Sequence, residues 1–450
     1  MNLIVELIKY LMILLMGIYT YYSFNVFRYR NKRRQNRAYH SLTGITFIIH
    51  FIGYATLLLQ KPSIKLVLLY GGEVLLFILV LVFYQVLYPK ISRLLVRNML
   101  MLLAVGFLVL TRLSFNMAVR QVIIVAISFL LCIFIPYAIK AFQWLRRFGW
   151  LFGIIGVILL LVVLVAGRTS RGATNWLYIA GYSIQPSEFV KLLFVISIAA
   201  LFQEGFGFRR VLIVSVMAGT HILILVAHRD LGGALIFFVT YIFMLYTATA
   251  KPLYLFSGLL AGSAAAIVAY KLFGHVRVRV LAWKNPFGYI DKEGYQITQS
   301  LFAIGTGGWF GMGINRGLPT DIPVVESDFI FSAISEELGG LFAICVILIF
   351  ASCFVMFINI ALDQEDTFYR LIAIGFSVMF AFQVILSIGG VIKFIPSTGV
   401  TLPLVSQGGT SILTTIMMFM ILQGVHMKGK AQKKEAQTEI SAAAEMEEIL

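Results

Sequence analysis

The chain has 450 residues, of which 60% are hydrophobic and only 12% charged, with a formal net charge of +16. A water-soluble domain needs a wetted shell that this composition does not supply, so the chain reads as a polytopic all-α membrane protein and its basic excess as loop charge, with no nucleic acid implied. Cys132, Cys345 and Cys353 all lie inside apolar runs, far from any metal-ligand spacing, and imply no disulfide framework.

About thirteen runs are long enough to approach the roughly 20 residues that a helix needs to cross the hydrocarbon core. In chain order they cover about 3–24, 41–60, 65–88, 96–115, 119–139, 149–167, 187–204, 210–227, 230–249, 253–273, 329–358, 369–391 and 398–425. The first has no basic start and no small-residue cleavage site after it, and it ends in Tyr21, Tyr22 and Phe24. It is therefore read as a span anchored by interfacial aromatics, not as a cleaved leader.

Basic residues mark alternate connections. Arg28, Arg30, Lys32, Arg33, Arg34 and Arg37 follow the first run, and Lys90, Arg93 and Arg97 follow the third. Lys140, Arg146 and Arg147 follow the fifth, Arg209 and Arg210 the seventh, and Lys428, Lys430, Lys433 and Lys434 the last. The positive-inside rule then predicts an outside N-terminus, a cytoplasmic C-terminus and an odd number of spans. These clusters read as topology signals with attraction to anionic lipid, not as specific ligand sites. The polar tail 428–450 is expected to be a short helix or disordered.

The connections on the other side carry the polar chemistry. In 167–190, Trp176, Tyr178 and Tyr182 suit an interfacial segment, and Pro186 fits the first turn of the following helix. Glu188 suits the positive helix end and shares a face with Lys191, so the two enter the bilayer as a charged pair. Such groups are costly and usually face a bundle interior; a functional pair and a simple neutralised helix start both fit. Asp230 follows His228 and Arg229 as a cap with Arg229 as local partner, while His50 and His221 read as packing residues.

The stretch 274–328 is the longest polar connection, and loops of that length usually carry function. It holds Arg277, Arg279, Gln299, Ser300 and the glycine-rich segment Gly305-Thr-Gly-Gly-Trp-Phe-Gly-Met-Gly313. The glycines permit tight turns and close approach to a ligand, but no strand precedes them and no Gly-Lys-Ser/Thr follows, so no phosphate loop is present. Asp328 opens the eleventh run, either as a helix N-cap or as an outward general base tuned by half-burial. Glu336 and Glu337, about two turns deeper, read as an internal network tying helices together.

These motifs together resemble the shape, elongation, division and sporulation family. They are Gly172-Ala173 with Trp176, Gln185-Pro-Ser-Glu188 with Lys191, Asp230-Leu-Gly, Gly294-Tyr-Gln with Gln299-Ser300, and Ala303-Ile-Gly with Gly307-Gly308. Asp328-Phe-Ile-Phe with Glu336-Glu337, Pro396-Ser-Thr-Gly-Val-Thr-Leu-Pro403 and Ser406-Gln-Gly408-Gly409-Thr-Ser411 follow in family order, over about 93–427. The resemblance implies a ten-span core, preceded here by three added spans over 1–88 suited to partner docking or lipid packing. It implies a glycosyltransferase that polymerises lipid II at the outer face of the bacterial cytoplasmic membrane, usually with a class B penicillin-binding protein. Asp328 would be the catalytic carboxylate, with Glu188 and Lys191 lining the same cavity. Gln299 and Ser300 are expected beside them, and Asp230, Glu336, Glu337, Pro396, Ser406, Gly408 and Gly409 in support. The chain departs from the family at Asn175 (usually Arg), Gln407 (usually Tyr), Ser387-Ile-Gly-Gly390 (usually Asn-Ile-Gly-Met) and His228-Arg229 (commonly Gln-Pro), which bears on how the substrate fits.

The implied reaction joins the 4-hydroxyl of the lipid II GlcNAc to the anomeric carbon of an undecaprenyl-diphosphate-linked glycan. It needs one base and positive charge at the diphosphate. Lys191, Arg277 and Arg279 are the candidate phosphate binders, with Arg279 closer to ordinary headgroup contact; Mg or Mn would assist. Two other readings remain: a lipid II flippase with Glu188 and Lys191 in a polar passage, against which no inverted repeat is evident, and a non-catalytic scaffold.

Overall fold

The computed structural model describes residues 2–141, 143–170, 173–179 and 181–449. Three helices come first: α1 (Asn2–Arg28), α2 (Lys32–Gln60) and α3 (Ile64–Leu87). Then follow α4 (Arg93–Leu113), α5 (Phe115–Cys132), α6 (Ile135–Ala141) and α7 (Gly149–Ala166). Three short strands, β1 (Arg168–Ser170), β2 (Ala173–Ile179) and β3 (Tyr182–Ile184), lead into α8 (Pro186–Gln203), α9 (Phe208–Ala227), α10 (Leu231–Thr249) and α11 (Pro252–Leu272). The remainder comprises α12 (Gly274–Lys284), α13 (Tyr295–Gly307), α14 (Ile330–Leu338), α15 (Gly340–Leu362), α16 (Thr367–Val391) and α17 (Gly409–Ile449).

Among the described residues, thirteen helical stretches are long and apolar enough to cross a membrane, the number read from the sequence. The chain is a multi-pass helical membrane protein. The most uniformly apolar sequence is not the most enclosed. α4, which carries Arg97, Asn98 and Thr111, is buried along nearly its whole length, whereas the more apolar α7 leaves most of its residues only partly covered. Lipid is as apolar as leucine, so helices enter the bundle interior for packing and hydrogen bonding, not to escape solvent.

Five predicted features change. The eleventh run divides, because Gly339 adopts φ 92° and separates the short α14 from the spanning α15. The thirteenth span begins at Gly409 and not near 398, since 392–408 is an irregular loop. Pro396 and Pro403 lack the N–H groups a helix would need there, and Gly399 has φ 72°. The connection 274–328 holds two helices, α12 and α13, and α17 continues through the polar tail to Ile449. The segment 167–190, expected to be interfacial, forms an antiparallel meander in the order β1-β2-β3. Its pairs include Arg168↔Trp176 and Leu177↔Ile184, so it is the one β element in an otherwise helical chain among the described residues. Gly181, at φ 84°, supplies the turn into β3.

Two buried polar clusters fasten α1–α3 to the helices behind them. Tyr19 and Ser23 of α1 donate to Asn98 Oδ1 of α4 at 3.0 and 3.1 Å, while Ser23 also meets Ser352 of α15 at 2.7 Å. In the second cluster, Glu73 of α3 meets His50 Nε2 at 2.8 Å and accepts from Tyr54 at 2.8 Å, and Tyr54 also meets Thr111 of α4. His50 is thus a buried hydrogen-bond partner of Glu73 as well as a packing residue.

Candidate functional site

One face of the bundle collects the starts of several helices. α8 begins at Pro186, α10 at Leu231, α14 at Ile330 and α17 at Gly409, and side chains of α8, α17 and the cap of α10 meet there. Their N–H ends give this face a positive bias toward anions. The N-terminus of α1 lies on the same face, because Lys9 donates to the Gly311 carbonyl at 3.1 Å and Glu6 pairs with Arg316 at 3.1 Å.

Glu188 and Lys191 do form the expected pair, at 2.8 Å, with only 9% and 7% of their surfaces exposed. Thr414 of α17 donates to Glu188 at 3.2 Å, and Lys191 donates to Gln383 of α16 at 3.1 Å. The pair is therefore locked between three helices. Asp230 lies within electrostatic reach of both. Its carboxylate accepts from the Gly233 N–H at 2.8 Å, the expected cap. Burial pushes the Asp230 carboxyl above its ordinary range and neighbouring Glu188 adds to this, against the lowering effect of the Gly233 N–H, Lys191 and His228. Arg229, expected as the partner of Asp230, is instead exposed with φ 62°.

Asp328 is half-buried just ahead of α14. It is not the helix N-cap, since that position belongs to Phe329. The loop 392–408 lies over it. The Ser406 hydroxyl donates to the Ser327 carbonyl and accepts from the Leu402 N–H, and the Gln407 N–H donates to the Glu326 carbonyl at 2.8 Å. Gln121 of α5 secures the same loop through the Ser406 carbonyl and the Gly408 N–H. Helix α12 is tied across the loop by Trp283 to the Lys393 carbonyl at 3.0 Å and by Arg279 to the Ser397 carbonyl at 3.1 Å.

These ties bring Asp328 and Arg279 together over Gly399. A Cβ placed on Gly399 would stand 3.7 Å from Asp328 Oδ2 and 3.8 Å from Arg279 Nη2. Burial lowers the affinity of the Arg279 guanidinium for its proton, and Asp230 and Asp328 oppose that effect. Asp328, Arg279, Asp230, Glu188 and Lys191 are thus one electrostatic cluster drawn from α8, α10, α12 and the approach to α14.

The two arginines are placed differently. Arg279 faces the cluster, whereas Arg277 is exposed on the same helix. Ser300 does not line the cavity: it is fully buried, bonded to Ser332 at 2.7 Å and to the Val391 carbonyl at 2.9 Å, and it ties α13 to α14 and α16. Gln299 is half-buried beside it. The glycine-rich segment closely approaches protein backbone. At Gly311, φ 76°, a Cβ would come within 2.5 Å of the Glu337 carbonyl oxygen. Here the Met312 and Gly313 N–H groups donate to the carbonyls of Glu336 and Glu337.

Glu336 and Glu337 form the expected tying network, but near the Asp328-side end of α4 and not within the spanning helix. Glu336 accepts from the Leu318 N–H at 2.9 Å, and Glu337 accepts from Arg112 at 2.8 Å. Burial pushes the Glu337 carboxyl up to about 7 despite the opposing effect of Arg112. Arg112, which also donates to the Gly317 carbonyl, was not singled out in the sequence; its one signal is a cation in the last turn of an otherwise apolar run. Of the positions that depart from the family pattern, Asn175 and Ser387 are buried, Gln407 is half-buried and holds Glu326, and Gly390 lets the Ser397 backbone approach. Gly172 lies outside the described residues. Among the described residues, no group of three or more His, Cys, Asp or Glu side chains gathers closely enough to hold a metal ion.

A family model described as a cell cycle protein, covering FtsW, RodA and SpoVE, matches residues 86–431 and so starts at the end of α3. Peptidoglycan glycosyltransferase RodA of Mycobacterium tuberculosis is 33% identical over 309 residues, 63% of this chain and 65% of the relative. The match thus spans just under two thirds of the length of that mycobacterial relative. A probable peptidoglycan glycosyltransferase FtsW of Pseudoalteromonas translucida is 32% identical over 369 residues, 75% of this chain and 90% of the relative. Stage V sporulation protein E of Bacillus subtilis is 33% identical over 323 residues, covering 69% and 87%. The crystal structure of the Thermus thermophilus rod shape determining protein RodA is 23% identical, covers 75% of this chain and 97% of its own, and superposes with a TM-score of 0.58. A chain from a structure on the coordination of polymerization and crosslinking by a peptidoglycan synthase complex superposes with a TM-score of 0.64 at 23% identity, covering 75% and 98%. At that identity the two structures speak for the fold alone.

Proposed function

This chain belongs to the cell cycle protein family of FtsW, RodA and SpoVE, and we propose that it is a glycosyltransferase that polymerises lipid II into glycan strands. The observation that carries the proposal is the convergence of Asp328 and Arg279 over Gly399, with the Glu188–Lys191 pair linked to them through Asp230.

In this reading, Asp328 takes the proton from the 4-hydroxyl of the lipid II GlcNAc as that oxygen attacks the anomeric carbon of the growing strand. The bond to undecaprenyl diphosphate breaks, and in-line displacement turns an α linkage into a β linkage. Arg279 and Lys191 supply positive charge for the departing diphosphate, aided by the N–H ends of the helices on this face. Arg279 presents a planar fork matched to phosphate oxygens. Gly399 leaves the space in which the reacting groups meet, since any side chain there would stand between base and cation. The carboxylates present do not form a ready metal site, so no step is routed through Mg or Mn, and such an ion would arrive with the diphosphate.

The same reading sets the environment. The basic connections opposite the Asp328 face lie in the bacterial cytoplasm by the positive-inside rule, so Asp328 and the N-terminus lie outside. The working partner is a class B penicillin-binding protein that crosslinks the strands. Glu188 and Lys191 occupy only the first turn and the start of the next at one end of α8, which favours an outer-face site over a passage through the membrane. Purified protein with its cognate penicillin-binding protein, given labelled lipid II, should yield glycan ladders on a gel. A folded complex that gave none, while vesicles containing it moved lipid II between leaflets, would replace the polymerase by a flippase.

A further inference from the structure

The face opposite Asp328 holds a second concave site, between the end of α1 and the start of α2. From Lys9 to the end of α1 at Arg28 the helix rises about 28 Å, so its C-terminus lies about one hydrocarbon-core thickness from the Lys9–Gly311 contact. The connection is well defined: Asn31 caps α2 through the Arg33 N–H at 2.8 Å, and Gln35 donates to the Tyr29 carbonyl at 2.6 Å. Beside it is a cavity of about 500 Å³. Tyr22 of α1 and Tyr29, just past its end, form one wall. Arg34, Arg37, His40 and Ser41 line the other wall from α2. Spacings of three and four place those four side chains on one helix face.

The charge balance at this cavity is one-sided. The sequence has no Asp or Glu between Glu6 and Glu73. Among the described residues, neither Arg34 nor Arg37 has a hydrogen-bond or ion-pair partner in the protein. Topology signalling alone needs only that basic residues be present in the connection, whereas here two guanidinium groups, an imidazole, a hydroxyl and two phenols line a common space. Every one of these groups can donate to a phosphate oxygen. The rim is aromatic and the location is the end of two spanning helices, so the setting is the membrane–water boundary.

We propose that this cavity binds a phosphate group, in the form of an anionic phospholipid headgroup seated between α1 and α2. Basic pockets between helices at that boundary recognise such headgroups. The site belongs to the three-helix unit that precedes the family match, and it stands or falls independently of the activity assigned to Asp328.

The test uses full-length protein in nanodiscs of phosphatidylcholine with or without phosphatidylglycerol, read by native mass spectrometry and by melting. Arg34→Gln/Arg37→Gln should reduce retained phosphatidylglycerol on the order of ten-fold. Arg30→Gln/Arg33→Gln removes the same charge from the same connection but not from the cavity, and should retain the lipid. Equal loss in both double variants would overturn the proposal in favour of diffuse attraction. The unaltered protein should also melt at a higher temperature with phosphatidylglycerol than without, and an unchanged melting temperature would overturn the proposal with no variant involved. Inorganic pyrophosphate added at constant ionic strength separates the sources. Failure to displace the lipid supports a headgroup site, and displacement at millimolar concentration would overturn the lipid assignment in favour of a soluble phosphate compound.

Discussion

The three-helix unit α1–α3 and the rim around Asp328 both bury polar groups, but they use them differently. In the unit and at its contacts with α4, Glu73 is closed by His50 and Tyr54, and Asn98 of α4 is closed by Tyr19 and Ser23, so most of the hydrogen-bond capacity, His50 Nδ1 excepted, is consumed in holding helices together. At the rim, Asp328, Arg279 and Asp230 are half-buried, Asp328 and Arg279 meet over a residue with no side chain, and Asp230 acts on Arg279 electrostatically. Satisfied polar clusters build architecture, while charges held close with space between them can act on a third molecule. Burial of a polar residue in a membrane bundle therefore does not by itself indicate function; what lies between the polar groups does.

The comparison can be broken at several points. The largest stability effect is expected at the locked pair. Lys191→Met should cost about 3–5 kcal/mol by leaving Glu188 buried without its cation, and Glu188→Gln in the same chain should restore part of the loss in chemical or thermal unfolding. Next is Arg112, whose guanidinium holds Glu337 and the Gly317 carbonyl and so buttresses the helix that follows Asp328. Arg112→Ala should cost on the order of 3 kcal/mol and lower polymerisation as well, read by melting and by glycan ladders. Ser23→Ala, within the architectural cluster, should cost about 1 kcal/mol and leave polymerisation unchanged, and a selective loss of activity there would erase the distinction between the two regions.

A further way to sharpen the comparison is a pH dependence. Burial raises the Glu337 carboxyl from its ordinary value to about 7, so its protonated form is favoured in the folded state. Its contribution to stability is fully present below the unfolded carboxylate range, near 4.5, and is lost as pH rises through about 7. Melting temperature should therefore decline from pH 5 to pH 8, and Glu337→Gln should flatten the decline. An unchanged slope in that variant would remove Glu337 as its source.

The spans were legible because apolar length alone decides them, and Glu188 with Lys191 was legible because helical spacing fixes their common face. The locations of breaks were harder to read. The run 398–425 looked continuous because Val400, Leu402, Leu404 and Val405 are apolar, yet Pro396, Gly399 and Pro403 carry the signal that its first part is not helix. The alternation of Thr174, Trp176 and Tyr178 ahead of Gly181 likewise carried a strand signal that interfacial aromatics obscured. Arg112 and Glu337 are 225 positions apart, and Arg279 meets a loop more than a hundred residues away, so no local pattern could have paired them. The different placement of Arg277 and Arg279 has the same origin: the bonds to 392–408 determine which face of α12 turns inward.

The most direct test is lipid II polymerisation by Asp328→Asn beside the unaltered chain, each purified with the cognate penicillin-binding protein and each shown by melting to be folded. The account predicts glycan ladders from the unaltered chain and none from the variant. Ladders of equal yield from both would contradict Asp328 as the base and would move the chemistry away from the cluster over Gly399.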